Sequence, residues 1–466
     1  MKLNTEKLYH QLPVFLQNIA ISFFGLYWYG RRFGGVFKDE LKACKKRELY
    51  TFSEWETYQE MELRKLLVHA NQQVPHFRNL FKALGWNEQD FINFRLSDLK
   101  RLPILEKKTF RMHCDTELLS EQLEPEGSFL YTSGSSGTPL KIRYSKRMHQ
   151  KYFAIYESNV RNWAGIDITM SRGVIGGRRI LRDGDGKGPY YRYNYVEKQV
   201  YFSAYHISKE TVTNYLEGII KYKIAYLEGY SSAIYFLARF IEESGLKAPP
   251  LKAVLGSTDK LTPEMRETIR RVFHCEIFDS YNGVDVCNLI SECEHHRLHL
   301  VPDAGIVEIL NEKGEPCQPG EVGELISTGL LNFDQPLIRY KIGDLVKLSN
   351  EKECPCGRKM VIVEEIVGRI EDVVIGADGR EMRRFNRILI DMGSIIEGQI
   401  IQHELTRFEI KLVVFFQPSQ SEIDTIRSRM FAQLGKIDLD IHVVDSIPRG
   451  PNGKFKSVVS FVNNRK

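Results

Sequence analysis

After Pro139 the chain alternates Leu140, Ile142 and Tyr144 against Lys141, Arg143 and Ser145. A period of two marks a half-buried strand. Met148, Tyr152, Ile155, Tyr156, Val160 and Trp163 then recur at helical spacing, so a helix follows. Strand-like apolar runs at 173–176, 200–205, 224–227, 253–255 and 276–281 alternate with helical patterns at 208–222, 232–243 and 263–273. Thr262 before Pro263 is a helix N-cap with proline at the first helical position. Strands alternating with helices predict an α/β fold, a mostly parallel sheet covered on both faces. Such sheets bind ligands at the carboxyl ends of their strands. From 307 to 348 the pattern shifts to short strands and turns (307–310, 324–328, 337–340, 345–348), a small β subdomain of about 300–367. Past Gly368 a compact α+β segment runs to the end, with strands at 412–416 and 441–444 and a helix at 421–434. The chain therefore reads as a large domain of 1–367 and a small one of 368–466.

The N-terminal third is mostly helical. Ser53 and Glu56 have the spacing of a capping box ahead of Leu63, Leu66 and Leu67, and Pro75 ends that helix. Residues 102–105 form an extended connector. Residues 13–33 are aromatic and aliphatic, then basic at Arg31 and Arg32, but Gln17, Asn18 and Ser22 interrupt them. The stretch is short for a membrane span. It reads as a helix packed on the main domain, with weak association to a membrane surface as the alternative. Residues 178–193 hold four arginines, one lysine and three glycines. They read as a mobile surface loop before they read as a lid over an anionic acceptor.

Composition narrows this little. The 466 residues carry a net charge of +5 and no run of five Lys/Arg, which excludes nucleic acid as a main partner. Eight cysteines in so long a chain do not make a disulfide framework, so a reducing, cytoplasmic setting is expected.

The candidate chemistry begins at residues 131–140, Tyr-Thr-Ser-Gly-Ser-Ser-Gly-Thr-Pro-Leu. Gly134 and Gly137 let backbone amides turn toward an anion and let it approach closely. The hydroxyls of Thr132, Ser133, Ser135, Ser136 and Thr138 can donate to phosphate oxygens. A P-loop would need a lysine here and a helix directly after, and neither is present. The stretch resembles the phosphate-binding loop of the adenylate-forming superfamily, which includes acyl-CoA synthetases, peptide-synthetase adenylation domains and luciferases.

Four further stretches resemble that superfamily's motifs, in its order. In residues 278–285, Phe-Asp-Ser-Tyr-Asn-Gly-Val-Asp, the resemblance implies adenine stacking by Tyr281 and magnesium held by Asp285. Asn282 stands where glycine is usual, and Asp285 where glutamate is usual. Residues 337–344 resemble the Tyr-Arg-Thr-Gly-Asp motif, which implies that Asp344 accepts both ribose hydroxyls. Residues 368–372 resemble the hinge motif, with Arg369 on the nucleotide and Glu371 at the pivot. Lys454, on the Asn452-Gly453 turn, resembles the catalytic lysine of the small domain. The resemblance further implies nucleotide contacts at Gly256, Ser257 and Ser280, and places His206 near the carboxylate of the substrate. Chain length, the Ser-Gly-Ser-Ser-Gly form of the loop, Tyr205-His206 and Cys293 are most similar to the phenylacetate–CoA ligase branch. Leu12 to Asn18 resembles its CapK-like members, linked to capsular polysaccharide biosynthesis.

What this implies is activation of a carboxylic acid, apolar or aromatic, by ATP and magnesium. Coenzyme A is the first-choice acceptor, and a sugar amine or hydroxyl is the alternative. A non-catalytic nucleotide-binding relative is the third reading, kept open by Asn282 and Asp285. Independently of nucleotide chemistry, Cys354-Pro-Cys356-Gly357 sets two thiols one residue apart before a glycine. With Cys293 and His299 they make a Cys₃His set for a structural zinc ion, and His295 and His296 compete for the nitrogen position.

Overall fold

The computed structural model describes residues 9, 11–131, 140–178, 180, 181, 188–369, 374–376, 381, 382, 388, 389, 392, 394–414, 416–448 and 456–462. Two units emerge from it, Met1–Ile342 with Val346–Ile366, and Gly343–Leu345 with Val367–Lys466.

Helix α1 (Val14–Phe33) opens the first unit, followed by α2 (Phe37–Arg47) and α3 (Phe52–Gln73). The cap of α3 is Thr51, not Ser53. Thr51 Oγ1 accepts from the Glu54 amide, and the Glu54 carboxylate accepts from the Thr51 amide. Both Thr51/Glu54 and Ser53/Glu56 fit the capping-box spacing, and the earlier start turns Trp55 into the core. Helix α1 inverts the usual polarity. Gln17, Asn18 and Ser22 are buried, whereas Phe15 and Phe23 are 62% and 73% exposed and Phe24, Leu26 and Tyr27 also face outward.

A hairpin of β1 (Ser128–Tyr131) and β2 (Lys141–Tyr144) is followed by helix α4 (Lys146–Tyr156), which runs into a π-turn at Glu157–Arg161. The main sheet then builds from β3 (Arg172–Gly176), β4 (Tyr191–Asn194), β5 (Gln199–Ser203), β6 (Tyr226–Tyr230), β7 (Ala253–Ser257) and β8 (Ile277–Asn282). It continues through β9 (Leu289–Glu292), β10 (Leu298–Leu300), β11 (Gly305–Leu310), β12 (Val322–Gly329), β13 (Tyr340–Leu348) and β14 (Ile362–Arg369). The twelve strands lie in the order β11-β12-β13-β14-β10-β9-β8-β7-β6-β3-β5-β4. At the centre, β5, β3, β6, β7 and β8 are parallel neighbours. Ala253, Val254 and Leu255 of β7 are all buried, as a strand covered on both faces requires. Helices α5 (Val212–Lys221), α6 (Ser231–Glu243) and α7 (Pro263–Phe273) connect these strands, and Thr262 caps α7 through the Met265 amide.

Two expectations change. Strands β11 to β14 join the same sheet as the parallel strands, so the short-strand region extends that sheet. Residues 337–339 are not a strand, because Arg339 takes a φ of +48° and turns its guanidinium onto Glu308 at 2.8 and 2.9 Å. The arginine-rich stretch also contains structure. Tyr191–Asn194 is the edge strand β4, and Arg192 is buried. Helix α1 covers that edge: Asn18 Oδ1 accepts from the Tyr193 amide and Ser22 Oγ from the Tyr195 amide, each at 2.9 Å. Gly25 permits the approach, since a Cβ there would meet the Asn194 side chain at 2.3 Å.

In the second unit β15 (Val374–Ile375) pairs with β16 (Glu381–Met382). Strands β17 (Ile395–Gln402), β18 (Arg407–Val414), β19 (Asp438–Val443) and β20 (Val458–Ser460) form a sheet in the order β19-β18-β17-β20. Helix α8 (Gln420–Leu434), capped by Ser419 and Glu422, buries Ile426, Met430 and Leu434 in one core with Ile410 and Leu412. Among the described residues no helix is long and apolar enough to cross a membrane.

Candidate active site and cysteine–histidine cluster

Because β5, β3, β6, β7 and β8 are parallel, their carboxyl ends share one edge of the sheet. That edge carries His206 on the turn after β5, Tyr230 at the end of β6, Gly256 and Ser257 on β7, and Ser280, Tyr281 and Asn282 on β8. Ser257 and Ser280 are register partners, and Ser280 Oγ donates to the Gly256 carbonyl at 3.4 Å. Gly256 leaves room that a Cβ would take from Ser231 Oγ, 2.6 Å away. Tyr281 is half-buried and Asn282 exposed, while the His206 ring lies 5.2 Å from that of Tyr190.

Beyond Asn282 the chain makes a tight turn, with Val286 at a φ of +52° and its amide donating to the Gly283 carbonyl. The turn folds the buried Asp285 carboxylate back over Gly283, where a Cβ would meet its oxygens at 2.7 and 2.8 Å. Cys287 Sγ donates to Asp285 Oδ1 at 3.3 Å, and burial next to that carboxylate pushes the Cys287 thiol far up. Magnesium takes hard oxygen donors, and Asp285 supplies one, so the donor chemistry fits. Tyr144, at the end of β2, donates to the Val284 carbonyl at 2.5 Å. It thereby ties the turn to the hairpin whose connection is the Ser/Gly loop. That loop, Thr132 to Thr138, lies outside the described residues.

Asp344 is buried on β13. Arg369 ends β14, and its side chain is not among those described. Glu371 and Lys454 also lie outside the described residues.

Sequence reasoning missed the charges around these strands. The π-turn Glu157–Arg161 turns Arg161 inward, where it pairs with Glu157 at 3.2 Å and Glu228 at 3.1 Å. Arg172 continues the network to Glu228 and Glu197, and Glu197 reaches Arg32 at 3.1 Å. Three carboxylates, Glu157 and Glu197 buried and Glu228 half-buried, thus balance three arginines. The only signal was Glu228, a lone charge in the strand Tyr-Leu-Glu-Gly-Tyr. On β8, burial and then the Glu292 charge push the Asp279 carboxyl up to about 7. Arg266 grips Glu292 through both carboxylate oxygens, at 2.9 and 3.1 Å.

Cys293, His299, Cys354 and Cys356 come together, their ligand atoms all within 4.8 Å of one another. Cys293 Sγ is 3.6 Å from Cys354 Sγ, and Cys356 Sγ is 3.5 Å from His299 Nε2. His296 is engaged elsewhere, at 2.9 Å from Glu292 and stacked on Phe278. A second cluster of Glu40, Cys44 and Asp303 already has a cation in place, because Arg47 lies 2.5 Å from both carboxylates. All eight cysteines are free.

Residues 377–461 match the CapK C-terminal domain. The chain is 24% identical to Protein CapK of Staphylococcus aureus over 97% of its length and 98% of that protein. It is 25% identical to a phenylacetate-coenzyme A ligase of Thermus thermophilus, over 73% of this chain and 74% of that one. Among solved structures, a 2-hydroxyisobutyryl-CoA ligase in its postadenylation state superposes with a TM-score of 0.67 at 18% identity, covering 89% of this chain and 91% of the other. The fold is shared with a ligase solved in complex with R3-HIB-AMP. The chain is thus similar to Protein CapK over nearly its whole length, and to phenylacetate-coenzyme A ligases over about three-quarters of it, on a fold shared with an acyl-CoA ligase.

Proposed function

We propose that the protein is an AMP-forming ligase that activates a carboxylic acid with ATP and passes the acyl group on, with coenzyme A as the first acceptor to consider. The observation that carries this is the shared carboxyl edge of β5 to β8, where His206, Ser257, Ser280, Tyr281 and the Asp285 turn meet.

A carboxylate is a poor electrophile because oxide is a poor leaving group. In the first step a carboxylate oxygen attacks the α-phosphorus of ATP. The bond to the β-phosphate oxygen breaks and pyrophosphate leaves with the electron pair. In the second step the acceptor attacks the acyl carbon, the acyl–oxygen bond breaks, AMP departs and the acceptor loses its proton. The protein positions and neutralises. In this reading residues 132–138 and Lys454 surround the phosphates, Asp285 would hold magnesium, and Tyr281 stacks on adenine. Asp344 accepts the ribose hydroxyls, His206 faces the substrate carboxylate, and Arg369 and Glu371 serve the nucleotide and the pivot. Magnesium when bound offsets phosphate charge.

A sugar amine or hydroxyl as acceptor is the second reading. It rests on the resemblance of Leu12–Asn18 to CapK-like proteins linked to capsular polysaccharide biosynthesis; the likeness to Protein CapK runs nearly full length, whereas the phenylacetate ligase likeness covers about three-quarters of the chain. The exposed aromatic face of α1 supports a weak membrane-surface contact besides. The test is pyrophosphate release over a panel of carboxylic acids, with and without coenzyme A. Release with thioester formation supports the first reading, and single-turnover release that coenzyme A does not relieve supports the second. ATP binding with no release for any acid would overturn both in favour of a non-catalytic relative.

A further inference from the structure

We propose that Cys293, His299, Cys354 and Cys356 bind a structural zinc ion that clamps the β9–β10 turn to the segment leading into β14. A tetrahedral site with Zn–S near 2.3 Å and Zn–N near 2.0 Å has edges of about 3.8 Å between sulfurs and about 3.5 Å between sulfur and nitrogen. The Cys293–Cys354 and Cys356–His299 pairs stand at 3.6 and 3.5 Å, so two opposite edges already have these lengths, and all four ligand atoms lie within 4.8 Å of one another.

The backbone supports the same reading from both sides. The His295 amide donates to Cys293 Sγ at 3.4 Å, which stabilises a thiolate. Gly357, at a φ of +81°, closes a turn onto the Cys354 carbonyl at 3.0 Å, so that Cys354 and Cys356 project to one point. Three thiolates and a neutral imidazole around a dication leave one net negative charge. Arg358 lies beside the cluster, held by Glu294 at 2.7 Å and stacked over Trp163 at 4.3 Å. Trp163 in turn packs edge-on against the His299 ring at 5.8 Å. Four protein ligands close the coordination sphere, which leaves no position for a reacting water and makes the site structural.

The topology gives the ion its task. Cys293 follows β9 and His299 lies on β10. Strand β9 pairs with β8 from Ser280↔Ser291 to Asn282↔Leu289, and β10 pairs with β14 through His299↔Ile362. Fixing the β9–β10 turn therefore steadies the strand that carries Ser280, Tyr281 and Asn282.

The experiment uses the full chain purified without a polyhistidine tag, and it needs no activity. Elemental analysis should find about one zinc per chain. Cobalt exchanged into the site should give the intense visible bands of a tetrahedral ion and a thiolate charge-transfer band. Three of the eight thiols, Cys293, Cys354 and Cys356, should become reactive toward a disulfide reagent only when the metal is removed. Cys354→Ser with Cys356→Ser should lose the metal and melt earlier. If that variant fails to fold, Cys356→His should still hold one equivalent, with weaker charge transfer. Zinc-free protein with every thiol reactive would overturn the proposal. So would two thiols lost to a disulfide, or an octahedral cobalt spectrum.

Discussion

Replacing Gly283 with alanine tests the Asp285 turn directly. The new Cβ would lie 2.7 and 2.8 Å from the Asp285 oxygens and 3.0 Å from its Cγ, against about 3.4 Å for ordinary contact. The carboxylate must therefore retreat by about 0.7 Å. It is buried and held by Cys287 at 3.3 Å, so it cannot simply swing into solvent. Overpacking of this kind costs about 1 kcal/mol of stability, because the atoms that move end a side chain. Function is more sensitive, since a misplacement approaching 1 Å costs on the order of 10- to 100-fold in rate. That is about 1.4 to 2.7 kcal/mol. The assay is pyrophosphate release against magnesium concentration, with thermal unfolding alongside. Gly283→Ala should need more magnesium and turn over more slowly while melting within a few degrees of the parent. Added to Asp285→Ala it should cost nothing further, because both act through one carboxylate. Unchanged activity at limiting magnesium would refute the reasoning, as would additive losses in the double variant.

Asp279→Asn should show a pH-dependent gain in stability. With its carboxyl raised from 3.8 to about 7, the folded state keeps a proton that the unfolded chain has lost, so stability falls as pH rises from about 4 through 7. Melting curves should match the parent near pH 4 and exceed it at pH 8; a difference independent of pH would exclude this origin. Lys454→Ala should impair pyrophosphate release and spare transfer from supplied acyl-AMP. Glu371→Pro, which fixes φ and removes an N–H, should do the reverse; equal loss of both half-reactions in each variant would exclude two working arrangements of the small domain.

The parallel core was legible because its signals are local. Thr262-Pro263 starts α7 where its cap chemistry says, and the unbroken apolar run of β7 marks a strand covered on both faces. The Cys354-Pro-Cys356-Gly357 turn was legible for a similar reason, and the structure brings its thiols together with Cys293 and His299. What failed depended on distant partners. The choice between Thr51 and Ser53 as cap turns on where Trp55 packs. Strand β4 read as a loop because its amides at Tyr193 and Tyr195 are satisfied by α1, about 175 residues earlier. Arg161 gave no sign of burial, because the π-turn that aims it inward has no sequence pattern of its own.

The inverted helix α1 also has a bearing on aggregation. An edge strand with open amides is a template for pairing with another chain, and proteins usually guard it with charge, proline or a bulge. Here the guard is a helix whose polar residues face in, so its cost appears on the outside as exposed phenylalanines. Cleavage between Phe33 and Phe37 followed by loss of α1 would trade a greasy surface for an open strand edge. The amides of Tyr193 and Tyr195 would then be free to recruit the same strand from a second molecule. The aromatic face is thus tolerable where a naked edge is not, and α1 shields that edge from self-association.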